Sequence, residues 1–381
     1  MKYPRATVVI ILLFVLGPSV FAQATRQPPP SPSPTPSNEE QEAVKVFTEE
    51  VRLPVIAFDQ YGHYDPTLEV DDILILEDGV AQQIRSVRHL PANVLLVLDT
   101  GGELSGLGGM SKRTGLTRDV AIQLLNNLRD GTLVAVMQFS NSVELIQPWT
   151  RDKQVILKVL KTKLSSGKRS RFADAVGSAA RQLSDRPEGS RHVVFITDGV
   201  DSPGGKTDRA EAIKRLAAVR ATVHILSYTE FVLQKKETKS SSASIRQVPP
   251  KSDPITATDP TLPPGTTRNP SYRIGSITFD PAMKKQRKAY EADIKKSQQV
   301  LTAVAEETGG RIFLPKSSEE MIAHAAEAAR DIDAEYVVTY RPKRPLTSSR
   351  QGEYRRIEVA SRRVGLSLRS RRGYVVPERN E

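Results

Sequence analysis

Two apolar runs, each ending in an acid, constrain this chain more than anything else in it. Val94-Leu95-Leu96-Val97-Leu98 ends in Asp99, and Val193-Val194-Phe195-Ile196 passes through Thr197 to Asp198. Neither run alternates with polar residues, so both read as central parallel strands buried on both faces. A glycine-containing loop follows each: Thr100-Gly101-Gly102-Glu103 after the first and Gly199 after the second. Open parallel sheets bind ligands outside the carboxyl ends of their strands, where the strand order reverses. Neighbouring strands of this kind place Asp99 and Asp198 at one rim. Two carboxylates there are costly unless a cation or hydrogen-bond donors offset them, and the obvious offset is an oxygen-liganded divalent ion.

Strands and helices alternate from Asn93 to about Ala334, which predicts an α/β fold with a doubly wound, mostly parallel sheet. Helical periodicity covers Leu116 to Leu128, Asp152 to Leu164, Phe172 to Leu183, Ala210 to Val219 and Ser317 to Asp333. Thr132 to Phe139 and Val143 to Gln147 are strands joined by so short a turn that they form an antiparallel edge hairpin. Lys, Ser, Thr and Pro dominate residues 231–298, which read as a flexible insertion. Shorter alternating segments flank this region. Residues 44–90 and 335–376 each read as a small β unit, with Glu77-Asp78-Gly79 as a hairpin turn. The two units are expected to pair into one antiparallel, sandwich-like module, with the α/β domain of residues 91–334 inserted into it.

Residues 1–22 have the form of a secretory signal peptide: Lys2 and Arg5, a short apolar core, and Val20-Phe21-Ala22 at the cleavage position. That core is about half the length a membrane-crossing helix needs. Residues 23–43 contain Pro28 to Ser37, a proline- and serine-rich extended linker. The 381 residues include no cysteine, which excludes disulfides, thiolate metal sites and thiol catalysis. The net charge of +11 is concentrated toward the C-terminus, from Arg341 and Arg344 to Arg369, Arg371 and Arg372. Such a stretch reads as the solvated face of alternating strands, or as a contact for an anionic surface. The export signal argues against nucleic acid as a partner.

The order of several short motifs then resembles the von Willebrand factor type A domain, and more closely the bacterial exported VWFA-related proteins. The matching stretches are Leu74 to Gly79, Val97 to Thr100, Asp174 to Val176, Ile196 to Ser202, Glu307 to Gly310, Tyr336 to Pro342 and Arg372 to Tyr374. The resemblance implies a six-stranded sheet flanked by six helices, with a metal-ion-dependent adhesion site at its rim. That family site uses Asp-x-Ser-x-Ser, a separate Thr and a later Asp. Asp99 falls at the first aspartate, Ser170 at the threonine and Asp198 at the last aspartate. Gly101 and Glu103 replace the two serines. Three outcomes stay open: a partner-binding metal site, Mg²⁺ or Ca²⁺ in an altered geometry with Glu103 as ligand, or no metal at all.

Other chemistries lack their signatures. No Gly-x-x-x-x-Gly-Lys-Ser/Thr phosphate loop and no Gly-x-Ser-x-Gly elbow occurs, and the five histidines show no metal spacing along a helix. The expectation is therefore a non-enzymatic, exported protein that binds an envelope or extracellular protein. It would use a degenerate rim site of Asp99, Glu103, Ser170 and Asp198. The alternative is a structural envelope protein that touches anionic polymer through its basic C-terminal β unit, its rim site vestigial.

Overall fold

The computed structural model describes residues 49–101, 114–230, 233 and 281–376. The signal peptide over 1–22, the linker over 23–43, Glu103 and nearly all of residues 231–280 lie outside the described residues.

The first apolar run is β5 (Asn93–Asp99), every residue of it buried. It pairs in parallel with β6 (Leu133–Phe139) on one side and β8 (Arg191–Thr197) on the other. β9 (Thr222–Ser227) and β10 (Ile312–Phe313) extend the sheet beyond β8, and β7 (Val143–Thr150) closes the far edge as the antiparallel hairpin partner of β6. The order β10-β9-β8-β5-β6-β7 gives the six-stranded, mostly parallel sheet expected from the sequence. Successive side chains of a strand point to opposite faces, and β5 shows it. Val94, Leu96 and Leu98 meet α1 (Thr114–Asn127), α2 (Lys153–Thr162) and α6 (Ser318–Asp333) in one core. Leu95 and Val97 meet α3 (Phe172–Ser184), α4 (Arg209–Ala218) and α5 (Pro281–Glu307) in the other.

Helix α5 starts inside the segment expected to be a flexible insertion over 231–298. Its inward residues are Ile294, Ser297, Leu301 and Ala305, at helical spacing and all buried. Charged and amide neighbours such as Lys295, Lys296 and Gln298 mask that stripe in the sequence.

Both chain ends form the antiparallel module. One sheet runs β13 (Ser367–Ser370), β1 (Val51–Phe58), β11 (Tyr336–Arg341), β4 (Gln83–His89); the other runs β14 (Gly373–Val375), β12 (Tyr354–Ser361), β2 (Ile73–Glu77), β3 (Val80–Ala81). Val51, Leu53 and Val55 of β1 share one core with Ile73 and Ile75 of β2 and Ile357 of β12, so the two sheets pack face to face. The turn between β2 and β3 has Asp78 at φ 49° and Gly79 at φ 79°. Positive φ at both central residues is what a tight two-residue hairpin requires.

The arginine-rich end is not a simple solvated face. Arg355 is fully buried against Glu77, with Tyr340 and Tyr374 completing the shell around that carboxylate. Arg344 pairs with Asp78 and Glu353, Arg356 with Glu358, Arg363 with Asp65 and Asp72, Arg369 with Asp331, and Arg372 with Glu306. Arg371 is buried and donates to the carbonyl of Arg220. Most of these acids lie far away in sequence, so local patterning could not pair them.

Candidate functional site

Asp99 ends β5, Thr197 ends β8 and Asp198 follows it, so parallel pairing brings them to the carboxyl rim where the strand order reverses. The Asp99 carboxylate is buried and serves as an acceptor hub. Its Oδ1 accepts from the Gly101 amide at 3.1 Å, and its Oδ2 accepts from Ser170 Oγ at 3.2 Å and Thr197 Oγ1 at 2.7 Å. The Asp99 carbonyl takes a further bond from Thr117 Oγ1 of α1 at 3.3 Å. Thr117 in turn meets the hydroxyl of Tyr228, whose pKa is raised by burial.

Asp198 is held from the other side. Its Oδ1 accepts from the Val200 amide at 2.9 Å, and its Oδ2 accepts from Tyr290 Oη at 3.2 Å. Ser297 Oγ donates to the Asp198 carbonyl at 2.7 Å. Both partners belong to α5, which packs so close that a Cβ at Gly199 would lie 2.5 Å from Ser297 Oγ. Burial, with Asp198 beside it, raises the Tyr290 pKa, so the phenol stays a neutral donor. Arg209 lies nearby over the Phe172 ring at 5.2 Å. Burial lowers its pKa, opposed by the charges of Asp201 and Asp198.

The loop between α2 and α3 covers the remaining side of Asp99. The Gly167 amide donates to the Thr100 carbonyl at 3.0 Å, the Arg169 amide to Asn141 Oδ1 at 3.1 Å, and the Ser170 amide to Ser202 Oγ at 2.9 Å. These bonds hold the Arg169 carbonyl where a side chain at position 101 would go: a Cβ on Gly101 would lie 1.8 Å from that oxygen. Asp201 completes the loop by accepting from the Phe172 and Ala173 amides at 3.1 and 3.2 Å, which caps α3.

Three of the four expected site residues thus converge: Asp99 and Ser170 touch, and Asp198 stands beside them on the next strand. Glu103 lies outside the described residues. Thr197 is a site residue that the sequence reading passed over, although it sits between the apolar run and Asp198. Tyr290 and Ser297 had no signal in sequence, being nearly a hundred residues away from Asp198.

A hard divalent ion takes oxygen ligands in near-octahedral array. The oxygens here are the right kind. The Asp99 and Asp198 carboxylate oxygens are engaged by internal donors, and the ligand position at residue 101 is filled by backbone. Among the described residues no group of three or more acidic or histidine side chains is placed to hold a metal.

A second buried polar cluster lies on the same sheet, away from the rim. His192 of β8 and His224 of β9 stack with ring centroids 6.1 Å apart, and His192 Nε2 lies 3.4 Å from Glu335 Oε1. Glu335 also accepts from Thr222 Oγ1 at 3.0 Å. Burial raises Glu335 to about 8 and lowers both histidines to about 3, so the cluster is uncharged at neutral pH.

Residues 94–200 match the family described as von Willebrand factor type A domain. No curated protein matches the chain. Among solved structures, BatB from Bacteroides thetaiotaomicron is 23% identical over 36% of this chain and 66% of its own length, slightly under two thirds, with a TM-score of 0.30. An aerotolerance-related membrane protein from Bacteroides fragilis is 16% identical over 63% of this chain and 98% of its own, with a TM-score of 0.36. A von Willebrand factor type A protein from Catenulispora acidiphila is 10% identical over 82% of this chain and 74% of its own, with a TM-score of 0.40.

Proposed function

On the premise that this chain is a VWFA-related protein carrying a von Willebrand factor type A domain over residues 94–200, we propose that it is an exported, non-enzymatic protein-binding protein. Its rim is organised by hydrogen bonds rather than by a metal ion. The observation that carries this reading is the Arg169 carbonyl standing where a side chain at position 101 would have to be. Hydroxyl and amide donors from three loops, the end of β8 and one helix already offset the two rim carboxylates, which removes the electrostatic need for a cation. Export is supported by the charged start, short apolar core and small-residue cleavage position of residues 1–22. No helix among the described residues is long and apolar enough to cross a membrane. The partner is an envelope or extracellular protein. A non-enzymatic role is supported by the rim itself: its polar groups are held by one another, and its loops contain no histidine to act as a base. The competing reading, contact with anionic polymer through the C-terminal arginines, loses support because most of those arginines pair internally.

The test is the thermal midpoint of the protein after residue 22, measured with Mg²⁺, Ca²⁺, Mn²⁺ or EDTA. An ion that binds only the folded state raises the midpoint once its concentration exceeds its dissociation constant. The expected result is no shift with any ion at millimolar concentration. A rise of several degrees that Asp99→Ala abolishes would overturn the metal-free reading.

A further inference from the structure

We propose that a groove on the outer face of the β13-β1-β11-β4 sheet binds an acidic, extended peptide segment of a partner protein. The groove has a volume of about 340 Å³, and Arg52, Arg85, Arg88, Ser86, Val337 and Thr339 line it, with Leu90 and Glu50 at its margin. That volume is within the range of ligand sites, which favour the seams between structural units. This groove adjoins such a seam: a Cβ at Gly189, in the loop between α3 and β8, would lie 2.7 Å from Val337 Cγ1 and 3.5 Å from the Cβ of Arg52.

Strand register explains why three arginines converge there. Arg52 of β1 is opposite Thr339 of β11, which is opposite Ser86 of β4. Two residues along, Val337 is opposite Arg88 on the same face. Between these β4 residues and Ile84 the register shifts, so Arg85 is an extra residue in the strand. A bulge of this kind re-aims a side chain, and here it turns Arg85 into the groove with the other two.

The charge state of these arginines sets them apart. Arg344, Arg355, Arg356, Arg363, Arg369 and Arg372 of the β12–β14 region each pair with a carboxylate of this chain. Among the described residues neither Arg52 nor Arg88 has such a partner, and both are exposed. Arg85 has Glu50 at 3.3 Å. Exposed guanidinium groups at a concave surface, beside two hydroxyls, favour an anion with planar oxygens.

The spacing and lining favour a peptide over a phosphate polymer. Arg52 and Arg88 are two strands and two residues apart, about 12 Å at the backbone. Carboxylates at positions i and i+4 of an extended peptide are separated by about 13 Å. The apolar side chains of Val337 and Leu90 between and beside them have no use for a bare polyanion, but they suit the side chains of intervening residues.

The test is fluorescence anisotropy of the full chain with a labelled nine-residue peptide alternating Glu and Val. Competitors are the Lys/Val counterpart, inorganic polyphosphate and vesicles of phosphatidylglycerol. The expected result is salt-sensitive binding of the Glu/Val peptide, weakened about fivefold to tenfold in the double variant Arg52→Gln, Arg88→Gln. Arg356→Gln, an exposed arginine on the other sheet, should leave it unchanged. The melting midpoint of the double variant should match the parent, since both side chains are exposed. Equal binding by parent and double variant, equal weakening by Arg356→Gln, or stronger competition by polyphosphate or vesicles than by unlabelled Glu/Val peptide would overturn the proposal. It does not rest on the rim reading, whose metal titration can fail or succeed separately.

Discussion

Replacing Gly101 with serine restores a hydroxyl that the family site carries, yet this structure makes it a destabilising change. The added Cβ would lie 1.8 Å from the Arg169 carbonyl oxygen, 2.7 Å from its carbon and 3.0 Å from the Cα of Ser140. All three are backbone atoms, so the contact cannot be relieved by turning a side chain. The loop would have to retreat by at least about 1 Å, an overpacking cost of about 1–3 kcal/mol. That retreat also strains the Gly167–Thr100 bond at 3.0 Å and the Arg169–Asn141 bond at 3.1 Å. Each is worth about 1 kcal/mol. The expected loss for Gly101→Ser is therefore about 3–5 kcal/mol in urea unfolding, or a fall of roughly 6–15 °C in melting midpoint. Addition of Mg²⁺ should not recover it. A variant as stable as the parent, or one that gains stability with Mg²⁺, would refute the argument that backbone closes this position.

Two further perturbations probe the packing away from the rim. Arg355→Met should cost about 3–5 kcal/mol, because it leaves Glu77 buried and without its cation; adding Glu77→Gln should recover most of the loss in urea titrations, and a single variant within 1 kcal/mol of the parent would contradict this. The His192–His224–Glu335 cluster should make stability peak near pH 6.5. Folding raises Glu335 from 4.5 to about 8, so the folded state keeps a proton that the unfolded chain releases, and stability falls as pH rises toward 8. Folding lowers the two histidines from 6.5 to about 3, so the unfolded chain takes up protons that the folded state excludes, and stability falls as pH drops below 6.5. Glu335→Gln should flatten the limb above pH 6.5 in thermal midpoints measured from pH 5 to 8.5 and steepen the acid limb, because Glu335 opposes the two histidines between its unfolded value of 4.5 and pH 6.5; an unchanged upper limb would show that Glu335 is not the group responsible.

While Ser170 came from the resemblance to the family, the sequence by itself determined the core strands and the rim placement of Asp99 and Asp198. Their signals are local: an unbroken apolar run is buried on both faces, and its last residue lies at the carboxyl rim. The hairpin of β6 and β7 was equally legible, since so short a turn permits only antiparallel pairing. The expected pairing of the two chain ends rested on alternating β segments at both ends. Tertiary structure alone decided what those residues meet. The sequence shows that Gly101 has no side chain, but not that the Arg169 carbonyl fills the space. It shows a run of basic residues near the C-terminus, but not that Arg355 finds Glu77 nearly three hundred residues earlier. It shows Tyr290 within a charged helix, but not that the helix lies against Asp198. Close approach and ion pairing depend on how separately folded segments stack, and no local pattern encodes those distances.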